Sequence, residues 1–79
     1  MENVKEQIEE ILNELHPEVS SWDEQKEMVH SGLLNSLDIV TLIGELSDKF
    51  DIEIPPSEII YENFDTLQGL ISMVEKLSD

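Results

Sequence analysis

The sequence predicts an all-α protein, a small four-helix bundle of three main helices and one short helix with a long first loop. Apolar residues recur at spacings of three and four in three separate segments, as on one face of an α-helix. Prolines and glycines separate these segments, and no two segments alternate apolar and polar residues as paired strands would. At 79 residues, a single domain spanning residues 1–79 is expected.

The first helix is predicted from Val4 to near His16. Its buried face should be formed by Val4, Ile8, Ile11, Leu12 and Leu15, while glutamates occupy the other faces. Pro17 should end this helix, because proline lacks an amide hydrogen and disfavours a helical conformation in the residue before it.

A long loop is predicted from Pro17 to Leu34, where the apolar pattern loses its period and turn-forming residues accumulate. A loop of this length in so small a domain normally packs against the core or has a function. We therefore expect its apolar residues to anchor it in the core: Trp22, Met28, Val29, Leu33 and Leu34.

The second helix is predicted from Ser36 to Phe50. Its apolar stripe is Leu37, Val40, Ile43, Leu46 and Phe50. Asn35 or Ser36 can accept a hydrogen bond from a free amide of the first turn, and Asp38 places negative charge at the positive end of the helix. Gly44 in mid-helix costs about 1 kcal/mol relative to alanine, and it could let a neighbouring helix or a partner approach closely.

The remaining elements follow Asp51. Ile52 and Ile54 alternate with polar residues but have no partner strand, so we expect an extended linker that inserts apolar side chains into the core. A short helix is predicted from Pro56 through Tyr61. The last helix is predicted from about Thr66 to Leu77, with Asp65 and Gln68 as a weak capping box.

The charge balance restricts the possible partners. Nineteen acidic residues oppose four lysines, and the net charge is -15. Such a surface repels nucleic-acid phosphates and anionic membranes, so we expect no nucleic-acid partner and no membrane insertion. A partner with a basic docking face would be attracted, with an association rate that falls as salt is added. The N-terminus lacks the pattern of a signal peptide, so a soluble, cytoplasmic monomer is the expectation.

The residue patterns contain no catalytic or metal-binding arrangement, so an enzyme is not expected. There is no cysteine, and hence no disulfide or thiolate metal site. His16 and His30 lack any surrounding motif and are interpreted as surface residues. The acidic cluster of Asp48, Asp51 and Glu53 lacks the spacing of a calcium loop. Ser36 has no base nearby in sequence, and by itself it is most simply a helix cap.

The surrounding pattern gives Ser36 another interpretation. The stretch Gly32-Leu33-Leu34-Asn35-Ser36-Leu37-Asp38 is followed by Val40, Leu42, Leu46, Phe50, Ile54-Pro55 and a final capped helix. Over nearly the whole chain this resembles the acyl carrier protein family, the phosphopantetheine-binding carrier proteins. The resemblance implies a four-helix bundle in which Ser36 carries 4'-phosphopantetheine, transferred from coenzyme A by a separate phosphopantetheinyl transferase. The arm would then hold an acyl group as a thioester.

The resemblance also implies roles for neighbouring residues. Asn35, Leu37 and Asp38 would adjoin the cofactor, Leu37 as an exposed apolar contact and Asp38 as an acidic contact for the transferase. On the second helix, four residues would form the surface that meets the cargo or the partner enzymes: Val40, Ile43, Glu45 and Asp48. Ordinary packing or a solvated face would explain these four residues equally well.

Two residues depart from the family pattern. The family usually has aspartate before the serine, where this chain has Asn35, which keeps the capping ability but removes a charge. Many fatty-acid carriers have an acidic residue at the position of Thr41, so the acidic stripe is thinner here.

Three functions remain open. The first is an acyl carrier protein for fatty-acid, polyketide or related lipid metabolism, whose partners would be the transferase and acyl-transfer or synthase enzymes. The second is an aminoacyl carrier, D-alanyl or peptidyl, such as the D-alanine carrier of teichoic acid modification, which Thr41 and the segment 64–66 favour. The third is an interaction module that kept the bundle and lost the arm, for which Asn35 is the indication.

Overall fold

Four α-helices and a short 3-10 turn account for the regular structure of residues 3–78, the part of the chain that the computed structural model describes. The helices are α1 (Val4–Leu15), α2 (Ser36–Phe50), α3 (Tyr61–Phe64) and α4 (Leu67–Ser78), and the turn spans Pro56–Glu58. The described residues contain no strand, and the predicted all-α fold is confirmed. Within residues 3–78, no helix combines the length and the apolar character needed to cross a membrane.

One core holds the helices together. Helix α1 packs against α2 and α4, and α3 packs on α4. The core draws on every helix, on the long loop and on the linker after α2; its buried members are Ile8, Ile11, Leu12, Trp22, Met28, Leu34, Leu42, Leu46, Ile54, Phe64, Leu67, Leu70, Met73 and Val74. Burial of apolar area is the main favourable term in folding, and here it depends on the loop as well as on the helices.

The ends of α1 and α2 lie where the sequence predicts them. Asn3 caps α1, with its side-chain oxygen accepting a hydrogen bond from Glu6 N at 2.8 Å, and Pro17 lies two residues beyond the last helical residue. Helix α2 begins at Ser36 and ends at Phe50. Both helices follow strong local signals, namely a side-chain cap at the start and a helix-breaking conformation at the end.

The long loop is anchored in the core by the residues predicted from the sequence. Trp22, Met28 and Leu34 are buried, while Val29 and Leu33 are partly buried against the core. The buried Trp22 indole donates a hydrogen bond to Asn13 Oδ1 at 2.8 Å, which satisfies its one polar group. The loop therefore belongs to the folded core.

The predicted short helix from Pro56 through Tyr61 is wrong. Pro56–Glu58 form one 3-10 turn, Ile60 is extended (φ -126°, ψ 158°), and α3 starts only at Tyr61. Two adjacent β-branched residues weaken helix propensity. Asn63 then donates to the Glu58 carbonyl oxygen at 2.7 Å, which satisfies the end of the turn without a continuous helix.

The predicted cap of the last helix is also corrected. Thr66, and not Asp65, caps α4, because Thr66 Oγ1 accepts a hydrogen bond from Gly69 N at 2.9 Å. The Asp65 carboxylate instead accepts hydrogen bonds from the backbone N–H groups of Val29 and His30 in the long loop. The Asp65 side chain therefore makes a tertiary contact with the long loop, although the local pattern assigned it to the cap of α4.

Helix α2 ends in a left-handed residue, Asp51 (φ 53°, ψ 51°). Residues with a Cβ are disfavoured in this conformation, whereas glycine adopts it freely. Asp51→Gly should therefore stabilise the protein by about 0.5 kcal/mol, a modest gain because glycine also increases the entropy of the unfolded chain. Urea denaturation would measure this change. Asp51→Ala keeps the Cβ and serves as the control; an equal gain in both variants would contradict the explanation.

Candidate functional site

Ser36 is the first residue of α2, and its side chain is exposed. The cap before it is Asn35, whose side-chain oxygen accepts a hydrogen bond from Asp38 N at 2.8 Å. In return, Asn35 N donates to Asp38 Oδ2 at 3.3 Å, which completes a capping box. Because Asn35 serves as the cap, the Ser36 hydroxyl is not needed for that role and is left facing solvent.

A tight turn at the end of the long loop precedes Ser36. Gly32 has a positive φ of 88°, which a residue with a Cβ rarely adopts. Two backbone hydrogen bonds close the turn, from Gly32 N to Val29 O at 3.1 Å and from Leu34 N to Met28 O at 2.8 Å. With Leu34 buried in the core, the start of α2 is held in one place.

A groove of about 370 Å³ opens beside Ser36. The long loop, α2 and the segment around α3 each contribute to its walls, and the residues that line it are Val29, Ser36, Ile39, Ile59, Ile60, Tyr61 and Phe64. Ile59, Ile60 and Tyr61 remain 42%, 47% and 59% exposed. Mostly apolar walls with a few polar groups, here the hydroxyls of Ser36 and Tyr61, are typical of ligand grooves.

The sequence does not predict this groove. Its pattern places Ile59, Ile60 and Tyr61 in a short helix and gives no link between them and Ser36. A signal was present, because three adjacent large apolar residues without helical spacing cannot all face the core. Their nearness to Ser36, however, depends on how α3 packs on α4.

A second polar cluster lies at the edge of the groove. The His30 ring stacks on Tyr61, with ring centroids 4.1 Å apart, and donates from Nδ1 to Asp65 Oδ2. Burial alone would raise the pKa of Asp65, but the hydrogen bonds from Val29 N, His30 N and the His30 ring lower it below its ordinary value. This cluster joins the long loop to the residues around α3, and so connects two walls of the groove.

The other site residues predicted from the sequence fall into two groups, one exposed and one directed toward the rest of the protein. Leu37 and Val40 are 72% and 65% exposed, and Glu45 and Asp48 are also exposed on α2. Ile43 is partly buried and packs against the core. Asp38 is turned toward His16, which lies 2.8 Å away. The structure thus brings Ser36, Leu37 and Val40 together on one open surface, and directs Asp38 and Ile43 inward.

The two histidines differ in their surroundings. The His30 side chain is 51% exposed, as expected for a surface residue. The His16 side chain is only 20% exposed and lies between the carboxylates of Glu18 and Asp38. The interpretation of His16 as a plain surface residue was therefore wrong, because Asp38, 22 residues away in sequence, reaches the ring only in the folded chain.

Comparisons with known proteins agree on one family. Residues 2–74 match the family described as "Phosphopantetheine attachment site". The "D-alanyl carrier protein" of Streptococcus suis (strain 98HAH33) is 39% identical over 75 residues, which cover 95% of each chain. The protein of that name from Leuconostoc citreum (strain KM20) is 38% identical over 74 residues, 94% of this chain and 95% of that protein. No solved structure matches the chain.

Proposed function

The chain belongs to the family of proteins with a phosphopantetheine attachment site, and from this premise we propose that it is a D-alanyl carrier protein whose arm is attached to Ser36. As a member of this family it is a carrier and not an enzyme, and its cofactor is covalently attached 4'-phosphopantetheine. When bound, the arm ends in a thiol that holds its cargo as a thioester. The observation that supports D-alanine as this cargo is the name shared by relatives that match 94–95% of this chain.

The surroundings of Ser36 suit a phosphodiester. The first amide groups of a helix have no partner within the helix, and together with the helix dipole they favour an anion at this end. The residue before Ser36 is the neutral Asn35, and the carboxylate bonded to its backbone N–H, that of Asp38, is also paired with His16, which reduces its repulsion of a phosphate. The hydroxyl is exposed at the rim of the groove, where a transferase can reach it and where the apolar part of the arm has walls to contact.

The size and charge of a D-alanyl group suit this protein. A D-alanyl group is small and carries an ammonium group, so it gains nothing from an apolar interior and is favoured near an acidic surface. The interior between the helices is already filled, since Leu42, Leu46 and Leu70 are fully buried and protein cores are close-packed. A fatty-acyl cargo, which the resemblance also allows, would have to lie in the open groove beside Ser36 and not between the helices.

Partner enzymes should meet a surface that is apolar near Ser36 and acidic around it. Leu37 and Val40 supply the apolar contacts, with Glu45 and Asp48 one and two turns further along α2. Three of the four lysines already pair with acidic side chains: Lys5 with Asp23, Lys49 with Glu10 and Lys76 with Glu58. The unpaired acidic groups therefore set the charge that a partner encounters, and a basic docking face is complementary to it.

Loading with D-alanine tests the proposed cargo. The arm is first added with coenzyme A and a broad-specificity phosphopantetheinyl transferase. The product is then incubated with ATP and D-alanine in the presence of a D-alanine-activating ligase, or with a fatty acid and an acyl-activating synthetase. We expect a D-alanyl adduct in the intact mass spectrum, released by hydroxylamine as a thioester should be, and little fatty-acyl adduct.

Two controls make this result specific. The first replaces D-alanine with L-alanine, which tests whether loading by the ligase requires the D-enantiomer. The second offers a known fatty-acid carrier to the acyl-activating synthetase, which shows that the synthetase is active. Efficient fatty-acyl loading without D-alanyl loading would contradict the D-alanyl function while leaving the attachment of the arm intact.

A further inference from the structure

His16 lies just beyond the end of α1 and touches the start of α2. Its Nε2 is 2.8 Å from Asp38 Oδ2, and its Nδ1 is 2.9 Å from Glu18 Oε2. A neutral imidazole donates only one hydrogen bond, so both contacts with carboxylate oxygens are satisfied when the ring is protonated. The side chains of His16 and Asp38 are only 20% and 17% exposed, so solvent screens this pair less than an exposed one.

The Asp38 oxygen that meets His16 also belongs to the capping box around Ser36. Asp38 Oδ2 accepts hydrogen bonds from both His16 Nε2 and Asn35 N. Asn35 and Asp38 lie on either side of Ser36 in the chain. A single carboxylate oxygen therefore connects the imidazole to the backbone that immediately precedes the attachment residue.

We propose that His16 is a positioning residue for attachment of the arm: it holds the Asp38 carboxylate in the capping box and so orients Ser36 for modification. This inference rests on the proposed function of Ser36. In the transfer, Ser36 Oγ forms a bond to the pantetheine-side phosphorus of coenzyme A, and the bond from that phosphorus to the bridging oxygen breaks. The adenosine portion leaves with that oxygen, and the serine proton passes to a base of the transferase.

The charge of His16 makes this positioning dependent on pH. The hydrogen bond with Asp38 raises the pKa of His16 above its ordinary value of 6.5, burial opposes the shift, and Glu18 reinforces it. The charged groups that face the ring are Asp38 from α2 and Glu18 from the loop. Because the pKa is higher in the folded state, the contribution of His16 to stability is complete below about 6.5 and is lost as pH rises through the folded pKa.

An NMR titration of the protein before arm attachment tests directly whether protonation of His16 affects the backbone around Ser36. Between about pH 5 and pH 9, which spans the range of histidine titration, the His16 ring and the amides of Asp38 and Ser36 should share one midpoint above 6.5. Glu18→Gln should lower that midpoint for all three signals. His30→Gln removes the other histidine and should leave it unchanged. A Ser36 amide that does not follow His16 would overturn the proposal.

Rates of arm transfer test the consequence for function. Glutamine can donate one hydrogen bond, as a neutral imidazole does, so His16→Gln mimics the unprotonated state. At about pH 6 we expect transfer to wild type to be roughly threefold to tenfold faster than to His16→Gln, as for loss of a charge-assisted hydrogen bond. The ratio should approach one at high pH, and the pH response of the transferase itself cancels in this ratio.

The outcomes separate the two proposals. A wild-type chain that takes no arm at any pH would overturn the proposed function, and the positioning role with it. A wild-type chain that is modified, but with a ratio that does not change with pH, would overturn the positioning role alone.

Discussion

Replacing Ser36 by alanine is expected to abolish attachment of the phosphopantetheine arm and to leave the fold intact. The hydroxyl is the group to be modified, and alanine has none. Capping of α2 belongs to Asn35, so the change in the free energy of unfolding should stay within about 0.5 kcal/mol. Intact mass after incubation with coenzyme A and a transferase measures attachment, and thermal unfolding followed by circular dichroism measures the fold.

Asn35→Ala is the matched control for Ser36→Ala. It removes the side-chain cap and should lower stability by about 1 kcal/mol. It keeps the Ser36 hydroxyl and the backbone N–H that bonds to Asp38, so it should still accept the arm. The two variants thus separate the chemical role of Ser36 from the structural role of its neighbour. A Ser36→Ala protein that still gained the mass of the arm would assign the attachment to another hydroxyl.

Substituting Gly69 by alanine should have a large effect on stability. A Cβ at this position in α4 would collide with the backbone carbonyl oxygen of Glu62 in α3 and crowd Thr66 Oγ1. Backbone atoms cannot move aside as a flexible side chain can, so α3 must shift. Overpacking of this kind typically costs 1–3 kcal/mol, and the better helix propensity of alanine recovers only part of it. We expect a net loss of about 2 kcal/mol, or roughly 10 °C in Tm.

Gly44→Ala provides the comparison within the same chain. No atom lies within 4 Å of the place where its Cβ would stand, so the prediction of a close helix contact at Gly44 is not met within residues 3–78. Alanine there should stabilise α2 by about 1 kcal/mol. The same substitution is therefore expected to act in opposite directions at the two glycines, and changes of the same sign at both would contradict the packing argument.

The Gly69 contact also concerns the groove. Helix α3 carries Tyr61 and Phe64, which line the groove beside Ser36, and it is held against α4 across Gly69. Any shift of α3 would therefore change the walls that meet the arm. The close approach at Gly69 has no local signal, because a glycine in mid-helix has the same appearance in sequence whether its surroundings are open or crowded.

The sequence by itself determined the all-α class, the bounds of α1 and α2 and the place of Ser36 at a helix start. These features depend on interactions between residues within one or two turns of each other: apolar spacing, a capping side chain and the conformational limits of proline. Such interactions are fully specified by neighbours in the chain. Prediction failed between Pro56 and Thr66, where helix signals are weak and tertiary contacts decide the backbone.

Only the tertiary structure decided what surrounds Ser36. The groove joins residues from the loop, α2 and the α3 region. Asp65 binds the loop more than thirty residues away, although its local pattern suggested a cap, and His16 reaches Asp38 across 22 residues. The packing of the helices decides that Asp38 pairs with His16, and it decides which isoleucines remain exposed. These distances are set when the core forms, and they cannot be read from the spacing of residues along the chain.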